Sequence, residues 1–187
     1  MSNYRRFYPT GGTWFFTVVA YHRRPILCDE PIRDALRAAI KYTQQDYPFT
    51  IDAIVLMPDH LHCLWTLPQE VSDYSKRWRI IKRRVSVACA EQYKQPDLLT
   101  ESKKKHREST IWQRRFWAHQ ILDQADFNHH FNYIHYNPVK HGLCQKPSDW
   151  PWSTFHRYVK EGIYQKDWAQ DIAIPGVEMD DAVDMGE

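Results

Sequence analysis

Three features of the chain predict an α/β fold of the α+β kind, an antiparallel sheet flanked by helices. Three runs rich in aromatic and β-branched residues, 13–21, 49–57 and 60–67, have the composition and length of strands. Only Pro58-Asp59 separates the second run from the third, so those two strands form a tight antiparallel hairpin. Stretches with helical apolar spacing follow the first strand and the third. The element order is therefore β-α-β-β-α.

Taken in order, Gly11 and Gly12 mark a turn, and Thr13 to Tyr21 carries apolar residues on both faces, as a central strand does. Pro31 opens a helix whose stripe is Ile32, Leu36, Ala39, Ile40 and Thr43, and Pro48 stops it. After the hairpin, the loop Pro68 to Ser72 leads to a long helix from about Asp73 to Lys94, with Trp78, Ile81, Val85, Ala88 and Cys89 on its apolar side. Residues 95–109 are polar and lysine-rich and read as a flexible basic loop. Asp123 can cap a last helix whose stripe is Phe127, Phe131 and Ile134, and Pro138 ends it because a residue before proline disfavours helical geometry.

The 187 residues suffice for one domain with a real core, placed at 1–164, followed by an acidic tail at 165–187. The tail holds seven Asp/Glu against one Lys, so the overall +2 conceals a body of +8. A basic body points to a polyanionic partner such as nucleic acid; a mildly basic domain without one is the alternative. The tail reads either as a solubilising end or as a segment that competes with phosphate for the basic surface. No apolar run approaches the roughly 18 residues of a membrane span, and the start lacks a hydrophobic signal region, so a cytoplasmic protein is expected. The four cysteines include no C-x-x-C pair, which argues against a structural zinc site.

The third strand opens with two histidines one residue apart. Side chains alternate along a strand, so His60 and His62 share a face while Leu61 and Cys63 point the other way into packing. Both imidazoles can reach one metal ion, though such a pair serves packing as readily. Six cations (Lys76, Arg77, Arg79, Lys82, Arg83 and Arg84) fall within nine residues of the long helix with no carboxylate among them. A solvated charged face is one reading; a phosphate backbone that relieves the repulsion is the other. In Ile111 to His119, Arg114 and Arg115 interleave with Trp112, Phe116 and Trp117, which suits base stacking beside phosphate contacts or equally a strand whose aromatics join the core.

At about 100° per residue, Asp126, His130, Tyr133 and Asn137 form a polar band beside the apolar stripe of the last helix. Two histidines on a strand with a tyrosine and an amide on a helix are parts for breaking a phosphodiester covalently. A metal polarises the phosphate, and the tyrosine hydroxyl attacks it. Rejoining then needs no nucleotide cofactor, because the bond energy is kept in the phosphotyrosine.

These motifs, in order, resemble the REP-associated tyrosine transposases, relatives of the single-tyrosine HUH transposases of bacterial insertion sequences. The likeness runs from Tyr4-Arg5-Arg6 and Gly11-Gly12-Thr13-Trp14-Phe15-Phe16-Thr17 through Pro58-Asp59-His60-Leu61-His62-Cys63-Leu64-Trp65. It continues in Arg77-Trp78-Arg79, Ile111-Trp112-Gln113-Arg114-Arg115-Phe116-Trp117, Tyr133-Ile134-His135-Tyr136-Asn137-Pro138-Val139-Lys140-His141-Gly142 and Asp149-Trp150-Pro151-Trp152-Ser153-Thr154-Phe155-His156. The resemblance implies a ferredoxin- or RRM-like HUH endonuclease fold, a metal pair at His60 and His62, the nucleophile Tyr133 and a divalent Mg²⁺ or Mn²⁺. Asn137 stands where insertion-sequence relatives have glutamine as a further ligand. Single-stranded DNA bearing REP-type hairpins is the implied substrate, with Arg5 and Arg6 among the DNA-binding residues. A monomer working at the nucleoid is implied as well. Two other readings stay open: a nucleic-acid-binding module without catalysis, and a hydrolytic metal-dependent nuclease in which Tyr133 is structural.

Overall fold

A computed structural model describes residues 11–169 of the chain; Arg5, Arg6 and the tail from residue 170 lie outside the described residues. Four strands, β1 (Gly12–Val19), β2 (Thr50–Leu56), β3 (His60–Leu67) and β4 (Trp117–Gln120), form one sheet in the order β2-β3-β1-β4. Every neighbouring pair is antiparallel. The most apolar strands, β1 and β3, take the centre, where both faces are covered. Helix α1 (Glu30–Asp46) joins β1 to β2, and α2 (Tyr74–Ala88) leads from β3 toward β4, which is the βαββαβ order of a ferredoxin-like domain. Helix α5 (Gln124–Lys140) follows β4; short helices α3 (Ala90–Tyr93), α4 (Glu101–Lys105) and α6 (Phe155–Lys160) complete the set.

Strand alternation divides the core into two layers. Trp14, Phe16, Val18, Leu61, Cys63 and Trp65 face α1 and α2, and the Trp65 and Trp78 rings stack with centroids 4.3 Å apart. Phe15, Ala53, Val55 and Leu64 face the other way, against Phe131, Tyr133 and Ile134 of α5. Gly11, with φ of +75°, sits where an added Cβ would come within 3.3 Å of the Pro68 carbonyl, so the loop after β3 packs directly on the start of β1.

Several expected boundaries move. The long helix breaks at Cys89, which leaves α2 and α3 in place of one element reaching Lys94. Residues 95–109 are not a loop throughout: α4 is capped by the Thr100 hydroxyl, and Lys103 is buried, its ammonium held by the carbonyls of Ser109 and Trp112 and lying over the Tyr21 ring. Pro138 does not end α5. It sits in the last turn, where it forfeits one backbone bond to the Ile134 carbonyl, and the helix still runs to Lys140 before Gly142, at φ of +68°, turns the chain. Trp112 and Phe116 belong to the core, so they are not free to stack on bases. Packing also continues past residue 164, since the Trp168 ring lies 4.5 Å from that of Tyr164.

Candidate active site

His60 and His62 emerge from β3 on the face covered by α5, as strand alternation requires. Both are buried, with ring centroids 4.8 Å apart. Each is fixed through Nδ1. The His60 Nδ1–H donates to Asp59 Oδ1 at 2.7 Å, and His62 Nδ1 shares a 2.9 Å hydrogen bond with Thr17 Oγ1 from β1. Orientation through one ring nitrogen leaves the other, Nε2, as the side a ligand meets. Burial alone would raise the Asp59 carboxyl, but the hydrogen bond from His60 and the Arg23 guanidinium at 3.0 Å outweigh it and hold the group at about 2. Asp59 is therefore a fixed anion behind His60.

Helix α5 crosses this pair. Tyr133 stands against His62, with centroids 5.2 Å apart, and His141 just past the helix end stands against His60 at 5.3 Å. Asn137 falls between these two in sequence, at i+4 from the tyrosine and on the same helix face. The polar band beside the apolar stripe also faces the sheet: His130, Tyr133 and Asn137 are all buried. The Asp123 carboxylate caps the helix by accepting from the Asp126 N–H at 2.8 Å, which fixes where that face begins.

A divalent ion fits this donor set. Nε2 of His60 and both amide atoms of Asn137 are buried without a hydrogen-bond partner. Orphaned polar atoms of this kind cost on the order of 1–3 kcal/mol each and are rare in folded proteins unless a site uses them. Imidazole and amide oxygen ligands suit Mn²⁺ readily and Mg²⁺ where phosphate oxygens complete the shell.

The family described as IS200-like transposases matches residues 14–137. A REP-associated tyrosine transposase of Escherichia coli is 46% identical over 172 residues, which is 92% of this chain and 93% of that protein. A Haemophilus influenzae protein carrying the same name provisionally is 42% identical over 94% of this chain and 99% of its own. The chain belongs to the REP-associated tyrosine transposases. A solved structure described as a REP-associated tyrosine transposase bound to a REP hairpin is similar, with a TM-score of 0.76 and 44% identity, over 95% of this chain and 96% of that one.

The cations expected to meet DNA separate into two groups in this transposase. Arg79, Arg83, Arg84, Arg114 and Arg115 are exposed, and Lys76 is half-buried over the Tyr47 ring. Arg77 is corrected: it is 3% exposed, and its guanidinium donates to the Asp73 and Pro48 carbonyls. Lys82 is likewise turned inward, donating to the carbonyls of Gln113 and Arg114. Both cations sit where α2 meets other elements, so carbonyl oxygens rather than phosphates satisfy them. A groove of about 760 Å³ runs beside α2, with Arg79, Arg83, Arg107 and Arg114 in its wall. Since α2 and α5 cover opposite faces of the sheet, this groove and the histidine pair lie on opposite sides.

Three residues of the site carry little signal in the sequence. Asp59 reads there only as a turn former and Thr17 only as a strand residue. The spacing Tyr133–Asn137–His141, about one helical turn per step, does point to His141, but a helix stopped at Pro138 excludes it.

Proposed function

We propose that this transposase cleaves and rejoins single-stranded DNA bearing REP-type hairpins by transesterification through Tyr133. The observation that carries this reading is the buried constellation of Tyr133, His62, His60 and Asn137, with a tyrosine beside two oriented imidazoles and an unsatisfied amide. His60, His62 and Asn137 would hold the divalent ion, Mg²⁺ or Mn²⁺. When bound, that ion supplies a Lewis acid for the phosphate and lowers the cost of removing the phenolic proton. Asp59 and Thr17 keep the two imidazoles in their ligand orientation.

The Tyr133 phenolate oxygen attacks phosphorus, one bridging P–O bond breaks, and the departing strand leaves with a hydroxyl end after taking up a proton. The phosphate remains esterified to Tyr133. Attack by a strand hydroxyl reverses these steps, so joining requires no nucleotide. Tyr133 is 1% exposed, so DNA must reach it through local opening of its cover. The exposed cations of α2, with Arg114 and Arg115 leading into edge strand β4, bind the hairpin's phosphates on one side, and the strand passes around that edge to the histidine face.

The test is incubation of the purified protein with a hairpin-bearing single strand and Mg²⁺ or Mn²⁺, followed by denaturing electrophoresis. A protein–DNA adduct that disappears with chelator is expected. Cleavage with no adduct would replace this reading by a hydrolytic nuclease, and binding without cleavage by a nucleic-acid-binding module.

A further inference from the structure

A second cluster of metal-ligating side chains lies outside the histidine pair. His119 lies on β4, and Asp126 and His130 lie one turn apart at the start of α5. His119 Nε2 is 2.9 Å from Asp126 Oδ2, and His130 Nδ1 is 2.9 Å from Asp126 Oδ1. The two imidazoles stack, with centroids 4.8 Å apart and planes inclined by 17°, so both approach the same carboxylate from neighbouring layers. Candidate ligand atoms of all three residues lie within 4.8 Å of one another.

We propose that His119, Asp126 and His130 form a second metal site, for a transition-metal dication of the zinc type, which clamps β4 to the first turns of α5. Ligands about 2.1 Å from a tetrahedral ion stand roughly 3.4 Å apart. That separation falls between the 2.9 Å pairs and the 4.8 Å limit, so small side-chain rotations suffice. Without an ion His119 Nε2 hydrogen-bonds to the carboxylate, and His130 Nδ1 lies 2.9 Å from both that carboxylate and the Asp126 backbone carbonyl. With one, each presents a lone pair there and carries its proton on the other ring nitrogen. Burial pulls His130 below its ordinary range despite the neighbouring Asp126. His119 is partly exposed, 31% at its side chain, and provides an entry path.

Two imidazoles and a carboxylate select zinc, cobalt or nickel over magnesium, which prefers an all-oxygen shell. The site shares no ligand with the His60–His62 pair. Phe15 stands between them, its ring 4.7 Å from His130 and 5.4 Å from His62. The clamp holds the helix that presents Tyr133, and it is independent of the chemistry proposed for that tyrosine.

Zinc binding to the full-length chain, stripped with chelator, tests the assignment by calorimetry. His60→Ala/His62→Ala protein, shown folded by circular dichroism, should still take up one Zn²⁺ per chain. Adding Asp126→Asn and His119→Ala to it should abolish that uptake. Should the histidine-pair variant fail to fold, wild-type protein serves instead: it should bind two Zn²⁺ and Asp126→Ala protein one. No uptake by the folded His60→Ala/His62→Ala protein would overturn the site. So would a wild-type stoichiometry of one that Asp126→Ala leaves unchanged.

Discussion

The ring of Tyr133 stands edge-on to the imidazole of His62, with centroids 5.2 Å apart and planes inclined by 64°. These residues are 71 positions apart in sequence, one on a helix and one on a strand. Their meeting depends on α5 laying its polar band, together with its apolar stripe, across the centre of the sheet. Packing a tyrosine, an asparagine and a histidine there leaves buried polar atoms that a purely structural core would avoid.

Asp59→Asn should leave the fold intact and weaken divalent-ion affinity by roughly 10- to 100-fold, because the carboxylate that orients His60 loses its charge. Ion titration monitored by calorimetry, with cleavage rate on the same samples, reads the effect. Unchanged affinity would mean that Asp59 serves only the Arg23 ion pair.

The cations of α2 should divide by exposure. Neutralising Arg79 and Arg83 should weaken DNA binding and reduce the log–log salt slope by roughly 0.7 for each single-strand phosphate left without its cation. Arg77→Ala should instead lower stability by about 1–3 kcal/mol, since the Asp73 and Pro48 carbonyls lose their donors. Salt-dependent binding isotherms and denaturant melts on all three variants separate the two roles.

Lys82 gives a pH signature. Burial, reinforced by nearby Lys103, lowers its ammonium from 10.5 to about 8. Between these values the unfolded chain holds a proton that the folded chain has released, so stability rises with pH across that window. Below about 8 both states are protonated, and the cost of the buried charge is felt in full. Relative to Lys82→Met, the wild-type protein should gain up to about 1.4 kcal/mol per pH unit within the window. Denaturant melts of both proteins check it; parallel curves would show Lys82 to titrate normally.

Local rules made part of this molecule legible in its sequence, and tertiary packing hid the rest. The hairpin and the shared face of His60 and His62 follow directly from strand alternation and the Pro58-Asp59 turn. The βαββα order is readable for the same reason, whereas four-residue β4 is too short to show a period and emerges only through pairing with β1. Helix α5 defeats the amphipathic rule in a specific way. Asn137 and His130 look like outward-facing residues by type, and only the second face of the sheet, which needs a cover, draws them inside. Arg77 and Lys82 mislead similarly, because a cation count says nothing of nearby carbonyls that can hold each one. The buried Lys103 is hidden among exposed neighbours of the same kind.

Locating the covalent bond tests most directly whether Tyr133 is the nucleophile. After reaction with a hairpin-bearing strand and Mn²⁺, nuclease trimming and proteolysis should leave a nucleotide-modified peptide that mass spectrometry places on Tyr133. Tyr133→Phe should give no adduct while binding the same DNA with nearly unchanged affinity, because the ring still packs against Phe15 and His62. An adduct on Tyr136 or Tyr93, or one that persists in Tyr133→Phe protein, would contradict the assignment.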